Sequence, residues 1–200
     1  MSNSELKERA RMQLGGGIFT NNWLLAVVAI LADGAILAAV GGVSQGIATL
    51  LLAGPLTYGV CYLFLKQSRD GDQMMLNDLL AGFRDDLGQT LLIGLMTAIF
   101  TALWSLLLVV PGIVKSYSYS MAYYLKIDHP EWDWKRCINE SKMLMDGHKM
   151  DLFVLDLSFI GWFIVGALCV GVGTLWVEAY HSAARAQFYE AISVGRSYAE

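Results

Sequence analysis

The stretch VVPGIVKSYSYSMAYYLK, residues 109–126, decides the topology of this chain. It follows one of the most apolar runs in the sequence, yet it carries a lysine and alternating serines and tyrosines. That alternation has the period of a β-strand. A lone strand in lipid would leave its backbone groups unpaired, whereas a helix satisfies them internally. The stretch is therefore predicted to be a helix that turns its polar side toward protein.

The composition is typical of an integral membrane protein. Of the 200 residues, 56% are hydrophobic and 16% are charged, against roughly 25% charged residues in soluble domains. A soluble fold of this size could not bury so much apolar surface in one core. The expected partner is thus the lipid bilayer. The net charge of −4, without a basic tail, gives no indication of nucleic-acid binding.

Six apolar segments can be marked, and each is predicted to cross the membrane. A crossing helix needs about 20 residues, which the first, third and fifth segments supply clearly. The second contains Gly54-Pro55, and the fourth and sixth are short or polar. The segments cover residues 22–41, 47–65, 88–110, 112–126, 151–171 and 174–192.

The positions of the basic residues support six crossings. With six crossings, twelve cations share one side of the membrane, which the positive-inside rule makes the cytoplasm. With four crossings, the basic clusters would be split between the two sides. Both termini are therefore predicted to be cytoplasmic. The twelve cations are Lys7, Arg9, Arg11, Lys66, Arg69, Arg84, Lys126, Lys135, Arg136, Lys142, Lys149 and Arg196.

An internal repeat divides the single predicted domain, residues 1–200, into three units at about 5–66, 73–126 and 130–192. An amphipathic stretch that ends in glycine precedes each odd-numbered span, with Gly15, Gly82 and Gly147 at nearly equal spacing. Such periodicity indicates a structural repeat. The fold is predicted to be all-α, with three αα-hairpins that each follow a cytoplasmic amphipathic interfacial helix.

The third amphipathic stretch has the most complete helix signals. Pro130 suits a first helical position and Gly147 suits a C-terminal cap. Trp134, Ile138 and Met145 fall on one face at helical spacing, together with other apolar residues. The cations on this stretch, which include Lys142, lie largely away from that face. The pattern predicts a helix in the headgroup region, and a helix packed on neighbouring protein fits equally well.

The sixth segment carries the most informative polar pattern. Glu178, His181, Ser182, Arg185 and Tyr189 share one helical face. Charged residues inside membrane spans usually face a bundle interior or water. This face is predicted either to line a cavity or pathway, or to form an internal network that locks the helices together.

Two other segments contribute candidates for the same interior. Lys115 and Tyr119 in the fourth segment lie at offsets that match the polar face of the sixth. Extension of Lys115 to the outer interface is the simpler interpretation. Asp33 lies in the middle of the first segment, where a carboxylate is a functional candidate. It could pair with Arg185 or Lys115, or be protonated. Asp156 is expected to be a polar residue at a helix interface.

The sequence shows no recognisable catalytic or cofactor motif. The serine-hydrolase elbow, the zinc-protease motif, the P-loop and the dinucleotide fingerprint are all missing. The three cysteines are isolated and the three histidines lack ligand spacing, so no metal site is expected. We expect a protein that is not an enzyme and that needs no cofactor.

Four stretches carry a resemblance to a known family. They are LWSLLLVVPGIVKSYSYSMAYYL at 103–125, ESKMLMDGHKMDLF at 140–153, LSFIGWFIVGAL at 157–168 and AQFYEAI at 186–192. In these stretches the chain resembles the bacterial integral-membrane family of unknown function called domain of unknown function nine-seven-five. The resemblance implies a six-helix protein of the bacterial inner membrane, and it assigns no reaction, substrate or site residue.

Two functions fit these features. The first is transport or handling of a small molecule, ion or lipid through a polar cavity within the helices. The alternative is a non-catalytic membrane scaffold or regulator, whose polar helix faces are internal packing networks.

Overall fold

The computed structural model describes residues 3–17, 20–41, 47–71, 74–168 and 171–194, and within these ranges it is helical without strands. This confirms the all-α prediction. Cys169, Arg196 and most of the turn between the first two segments lie outside the described residues. The helices are α1 (Asn3–Gln13), α2 (Asn21–Gly41), α3 (Ile47–Asp70), a 3₁₀ helix (Leu76–Leu80), α4 (Ala81–Arg84), α5 (Leu87–Leu107), α6 (Val109–Tyr119), α7 (Ala122–Asp128), α8 (Trp134–Leu144), α9 (Lys149–Leu168) and α10 (Val172–Ser193).

The predicted segments 88–110 and 112–126 place the turn between α5 and α6 at residue 111, and the structure places it earlier. The chain reverses at Leu108, whose backbone is extended (φ −159°, ψ 136°). Pro111 lies in the first turn of α6, where the backbone N–H that proline lacks would have no partner within the helix. The fourth segment is also not one continuous helix, because α6 ends at Tyr119 and α7 begins at Ala122.

Two helix boundaries in the amphipathic stretches were predicted wrongly. Helix α8 begins at Trp134 and not at Pro130, because Asp133 caps it by accepting a hydrogen bond from the Arg136 amide at 3.1 Å. Gly82 does not end the second stretch but lies inside α4. A Cβ at Gly82 would meet the Pro55 carbonyl oxygen at 2.2 Å, so this glycine allows close packing on α3.

The long helices form an inner and an outer group. Helices α3, α6–α7 and α10 form the inner group: α3 contacts both α7 and α10, and the Tyr124 and Tyr189 rings stack 5.0 Å apart between α7 and α10. Each outer helix contacts two inner helices. Helix α2 packs on α3 and α10, α5 on α3 and α6, and α9 on α10 and α6.

The amphipathic stretches pack on the inner helices. Helix α1 contacts α10, the 3₁₀ helix contacts α3, and α8 contacts α6 and α7. The apolar face predicted for a headgroup helix is buried in protein in α8, where Ile138 is 2% and Met145 is 0% exposed. Trp134 and Lys142 are partly buried beside them. For α8, packing on neighbouring protein is therefore the observed arrangement.

The outer helices are the apolar ones. Within the described ranges, three stretches are long and apolar enough to cross a membrane, namely Asn21–Ala38, Leu87–Leu106 and Lys149–Leu168. Only 22%, 11% and 22% of their residues are buried inside the protein, so their apolar side chains require another apolar environment. Helices α3 and α10 are largely covered by their neighbours, which explains why they tolerate more polar residues, whereas Val109, Val110 and Ile113 in the first half of α6 are exposed. These features indicate association with a membrane.

Candidate functional site

A cavity of about 750 Å³ lies among the inner helices. Hydroxyl groups and aromatic rings dominate its wall, and it is open on the side where Thr57, Ser116 and Ile113 are exposed. The lining residues are Asp33, Thr57, Val60, Cys61, Thr97, Ala98, Thr101, Ile113, Ser116, Tyr117, Tyr119, Ser120, Tyr123, Tyr124, Glu178, His181, Ser182 and Arg185.

Asp156 of α9 is the hub of a hydrogen-bond network with three residues that line the cavity, Tyr117, His181 and Arg185. Its carboxylate accepts bonds from the Tyr117 hydroxyl at 3.1 Å and from Arg185 Nε and Nη2 at 3.3 and 2.5 Å. His181 Nε2 lies 2.8 Å from the same carboxylate. The Asp156 and Arg185 side chains are 16% and 35% exposed. One carboxylate therefore connects α9 to both α6 and α10 through charge-assisted bonds.

Six of the eight predicted interior residues line this cavity. Asp33, Tyr119, Glu178, His181, Ser182 and Arg185 all form part of the wall. The structure thus brings together the polar face of α10, one side of α6 and the carboxylate of α2. What these residues do there stays a prediction.

Lys115 lies elsewhere. Its Nζ sits 5.0 Å from the centre of the Trp104 ring in α5. The pKa of Lys142 in α8 is lowered by partial burial and by the charge of Lys115, which places Lys115 on the side of α6 that faces α5 and α8. Of the two positions considered for Lys115, the structure therefore does not show the one in the cavity wall.

Tyr189 also lies outside the cavity wall. It is fully buried, stacks on Tyr124 and donates a hydrogen bond to Asp128 Oδ2. Asp128 in turn pairs with Arg69, whose Nε also pairs with Glu190. These ion pairs and hydrogen bonds connect the C-terminal ends of α3, α7 and α10.

Asp33 has neither of the partners predicted for it. Arg185 pairs with Asp156 instead, and Lys115 lies on another side of α6. The Oδ1 atom of Asp33 is buried and has no hydrogen-bond partner among the described residues. A buried oxygen of this kind is unfavourable unless a ligand, a proton or water satisfies it.

The sequence patterns did not predict the contact between Asp156 and Tyr117. A signal existed: Arg185 needed a partner, and Asp156 is a carboxylate well inside an apolar run. Hydropathy and spacing do not show which of several carboxylates a neighbouring helix brings close.

The lining does not resemble a metal centre. No group of three or more His, Cys, Asp or Glu side chains in the described ranges could hold a metal ion. The wall instead offers hydroxyls, tyrosine rings and two carboxylates, which suit reversible binding of a small molecule.

Residues 106–195 match the model of a family described as Protein of unknown function (DUF975). This confirms the resemblance predicted from the sequence, and the match covers just under half of the chain. No curated protein and no solved structure matches the chain significantly.

Proposed function

We propose that this chain is a multi-pass protein of the bacterial plasma membrane, with six spans in three hairpins and both termini in the cytoplasm. Its central cavity binds a small polar or amphipathic molecule for transport or handling. The cavity of about 750 Å³ carries this proposal, because its volume lies in the range of roughly 300–1,000 Å³ found for small-molecule sites.

Contacts at one end of the bundle support six crossings. Arg69, Asp128 and Glu190 connect the C-terminal ends of α3, α7 and α10. The buried ammonium of Lys126 at the end of α7 contacts Asp86, the N-terminal cap of α5, at 3.1 Å. The C-terminal ends of α3, α7 and α10 and the N-terminus of α5 thus lie at the same end of the bundle. This arrangement agrees with the positive-inside distribution, which places these helix ends on the cytoplasmic side.

The polarity of the inner helices supports a wet interior. Charged residues inside membrane spans usually face a cavity or pair with each other. Glu178, His181 and Arg185 do both, since they line the cavity and belong to or adjoin the Asp156 network.

The experiment compares two neighbouring positions of α5. Thr101 lines the cavity, whereas Ala102 is exposed on the outside of the helix. Thr101→Phe fills the cavity, and Ala102→Phe adds the same ring outside it. Purified proteins in lipid nanodiscs are screened by thermal shift against ions, amphiphiles and small polar molecules. Compounds that stabilise wild type and Ala102→Phe are expected to lose their effect on Thr101→Phe. The proposal fails if every compound acts equally on all three proteins.

The second candidate is a membrane scaffold, and the Asp156 network favours it. This network is satisfied by protein groups alone, from Tyr117, His181 and Arg185. A scaffold would show no ligand effect that depends on Thr101, yet it would still lose stability when Asp156 is changed. The same screen therefore separates the two candidates.

A further inference from the structure

The charged groups around the cavity do not balance. Asp33, Asp156 and Glu178 supply three carboxylates, whereas Arg185 and His181 are the neighbouring basic groups. With Asp33 ionised, the carboxylates outnumber the cations whether His181 is protonated or neutral. Lys115 of α6 does not add to these cations, because its ammonium lies over the Trp104 ring and does not line the cavity.

The guanidinium group of Arg185 is already paired with the Asp156 carboxylate. Arg185 Nη2 lies 2.5 Å from Asp156 Oδ2, and Arg185 Nε approaches the other oxygen of the same carboxylate. This leaves Glu178, which is 45% exposed and whose nearest basic atom is His181 Nδ1 at 4.0 Å. It also leaves Asp33, whose buried Oδ1 has no partner within the described ranges.

The remaining wall suits an organic group more than a bare ion. The volume is far larger than one ion needs, and the described residues contain no cluster with metal-ligand composition. Four tyrosines line the cavity together with Thr57, Thr97 and Thr101. Aromatic rings attract alkylammonium groups through their negative faces, and threonine hydroxyls accept hydrogen bonds from N–H donors.

We propose that the cavity takes an organic cation, an amine or a quaternary ammonium compound, with Asp33 and Glu178 as its counter-charges. This inference rests on the proposed function and names the chemical class of its ligand. The bound cation would satisfy the Asp33 carboxylate and restore charge balance in the cavity.

The first experiment measures the charge preference of the cavity without knowledge of the ligand. A single cysteine replaces Ser116, an exposed lining residue on α6. The background carries Cys61→Ser, Cys137→Ala and Cys169→Ala, so that no native thiol reacts. The protein in nanodiscs is treated with three methanethiosulfonates that carry a trimethylammonium group, a sulfonate group or no charge. The uncharged reagent corrects for the intrinsic reactivity of the thiol.

We expect the trimethylammonium reagent to react about tenfold faster than the sulfonate reagent, because a cavity lined by one sign of charge concentrates opposite charges. Glu178→Gln and Asp33→Asn should each move this ratio toward one. Glu8→Gln removes an exposed carboxylate on α1, outside the cavity, and should leave the ratio unchanged.

The outcomes separate the inference from the proposed function. Equal rates for the two charged reagents, with rapid reaction of the uncharged one, would overturn the cation inference and keep the open cavity. If the uncharged reagent also fails to react, the cavity is closed and both proposals fall.

The second experiment tests binding itself through protection of the same thiol from the uncharged reagent. Tetraalkylammonium ions from methyl to butyl, and choline, are compared with 3,3-dimethylbutan-1-ol, the uncharged analogue of choline. At least one cation should slow the reaction, and the uncharged alcohol should not. Equal protection by choline and the alcohol, or no protection by any cation, would refute the inference.

Discussion

Asp156→Asn is the change that most sharply tests the network in the cavity wall. It retains the shape of the side chain but removes the charge that Arg185 and His181 face. The carboxylate accepts two bonds from Arg185 and one from Tyr117, with His181 Nε2 at 2.8 Å. Asparagine can replace only part of this set, since one of its two terminal groups is a donor.

The expected cost follows from the burial of the pair. Removing one partner of a fully buried ion pair costs about 3–5 kcal/mol. Arg185 is 35% exposed and Asp156 is 16% exposed, so water compensates part of the loss. We expect a loss of about 2 kcal/mol in the free energy of unfolding after this discount. For a chain of this size that corresponds to a melting temperature lower by about 4–8 °C.

The assay is thermal unfolding of the detergent-solubilised protein, with Asp151→Asn as the matched control. Asp151 is on the same helix, but its side chain is 62% exposed and, among the described residues, its carboxylate contacts His148. The control should change the melting temperature by about 1 °C or less. In a double-mutant cycle, Arg185→Met should cost less in the Asp156→Asn background than in wild type. Equal melting temperatures for the Asp156 and Asp151 variants would refute the reasoning.

Three further outcomes follow from other parts of the structure. Arg69→Gln should lower the free energy of unfolding by about 1 kcal/mol in the same melting assay, because Arg69 joins the ends of three helices. The control is Arg84→Gln, which removes an exposed residue without an ion pair in the described ranges and should have no effect. Gly94→Ala should cost about 1–3 kcal/mol, since its Cβ would lie 2.7 Å from the Gly54 Cα, whereas Gly161→Ala meets nothing within 4 Å and should be tolerated; equal melting temperatures would contradict the close crossing of α3 and α5. Burial raises the pKa of the Cys137 thiol to about 12, so the thiol is protonated at pH 8 and iodoacetamide should modify it, as read by peptide mass spectrometry, only after unfolding.

The helices of this fold were largely predictable from the sequence. Apolar runs placed α2, α5 and α9 closely, because these helices carry apolar residues around most of their circumference. Helix boundaries depended on local chemistry that the sequence shows less clearly. Asp133 and not Pro130 determines where α8 begins, since the Asp133 carboxylate accepts a hydrogen bond from an amide of the first turn and a proline side chain cannot. The six crossings, the three hairpins and the repeat stay predictions.

The candidate site was predictable as a face but not as a set of contacts. Helical spacing correctly grouped Glu178, His181, Ser182 and Arg185, because residues three and four apart lie on one side of a helix. Spacing within one helix carries no information on which residue of another helix lies opposite. The way α2 and α9 pack around α10 determines that Arg185 pairs with Asp156, and that Asp33 Oδ1 has no hydrogen-bond partner among the described residues.

We propose above all that the apolar outer helices of this protein surround a water-accessible polar interior. Spin-label accessibility in liposomes tests it most directly, with labels at Leu157 and Ser116. Leu157 is 51% exposed on α9, and Ser116 lines the cavity. The label at Leu157 should collide mainly with dissolved oxygen, as in lipid, and the label at Ser116 mainly with a water-soluble nickel complex. The same oxygen-dominated collision at both positions would contradict the claim.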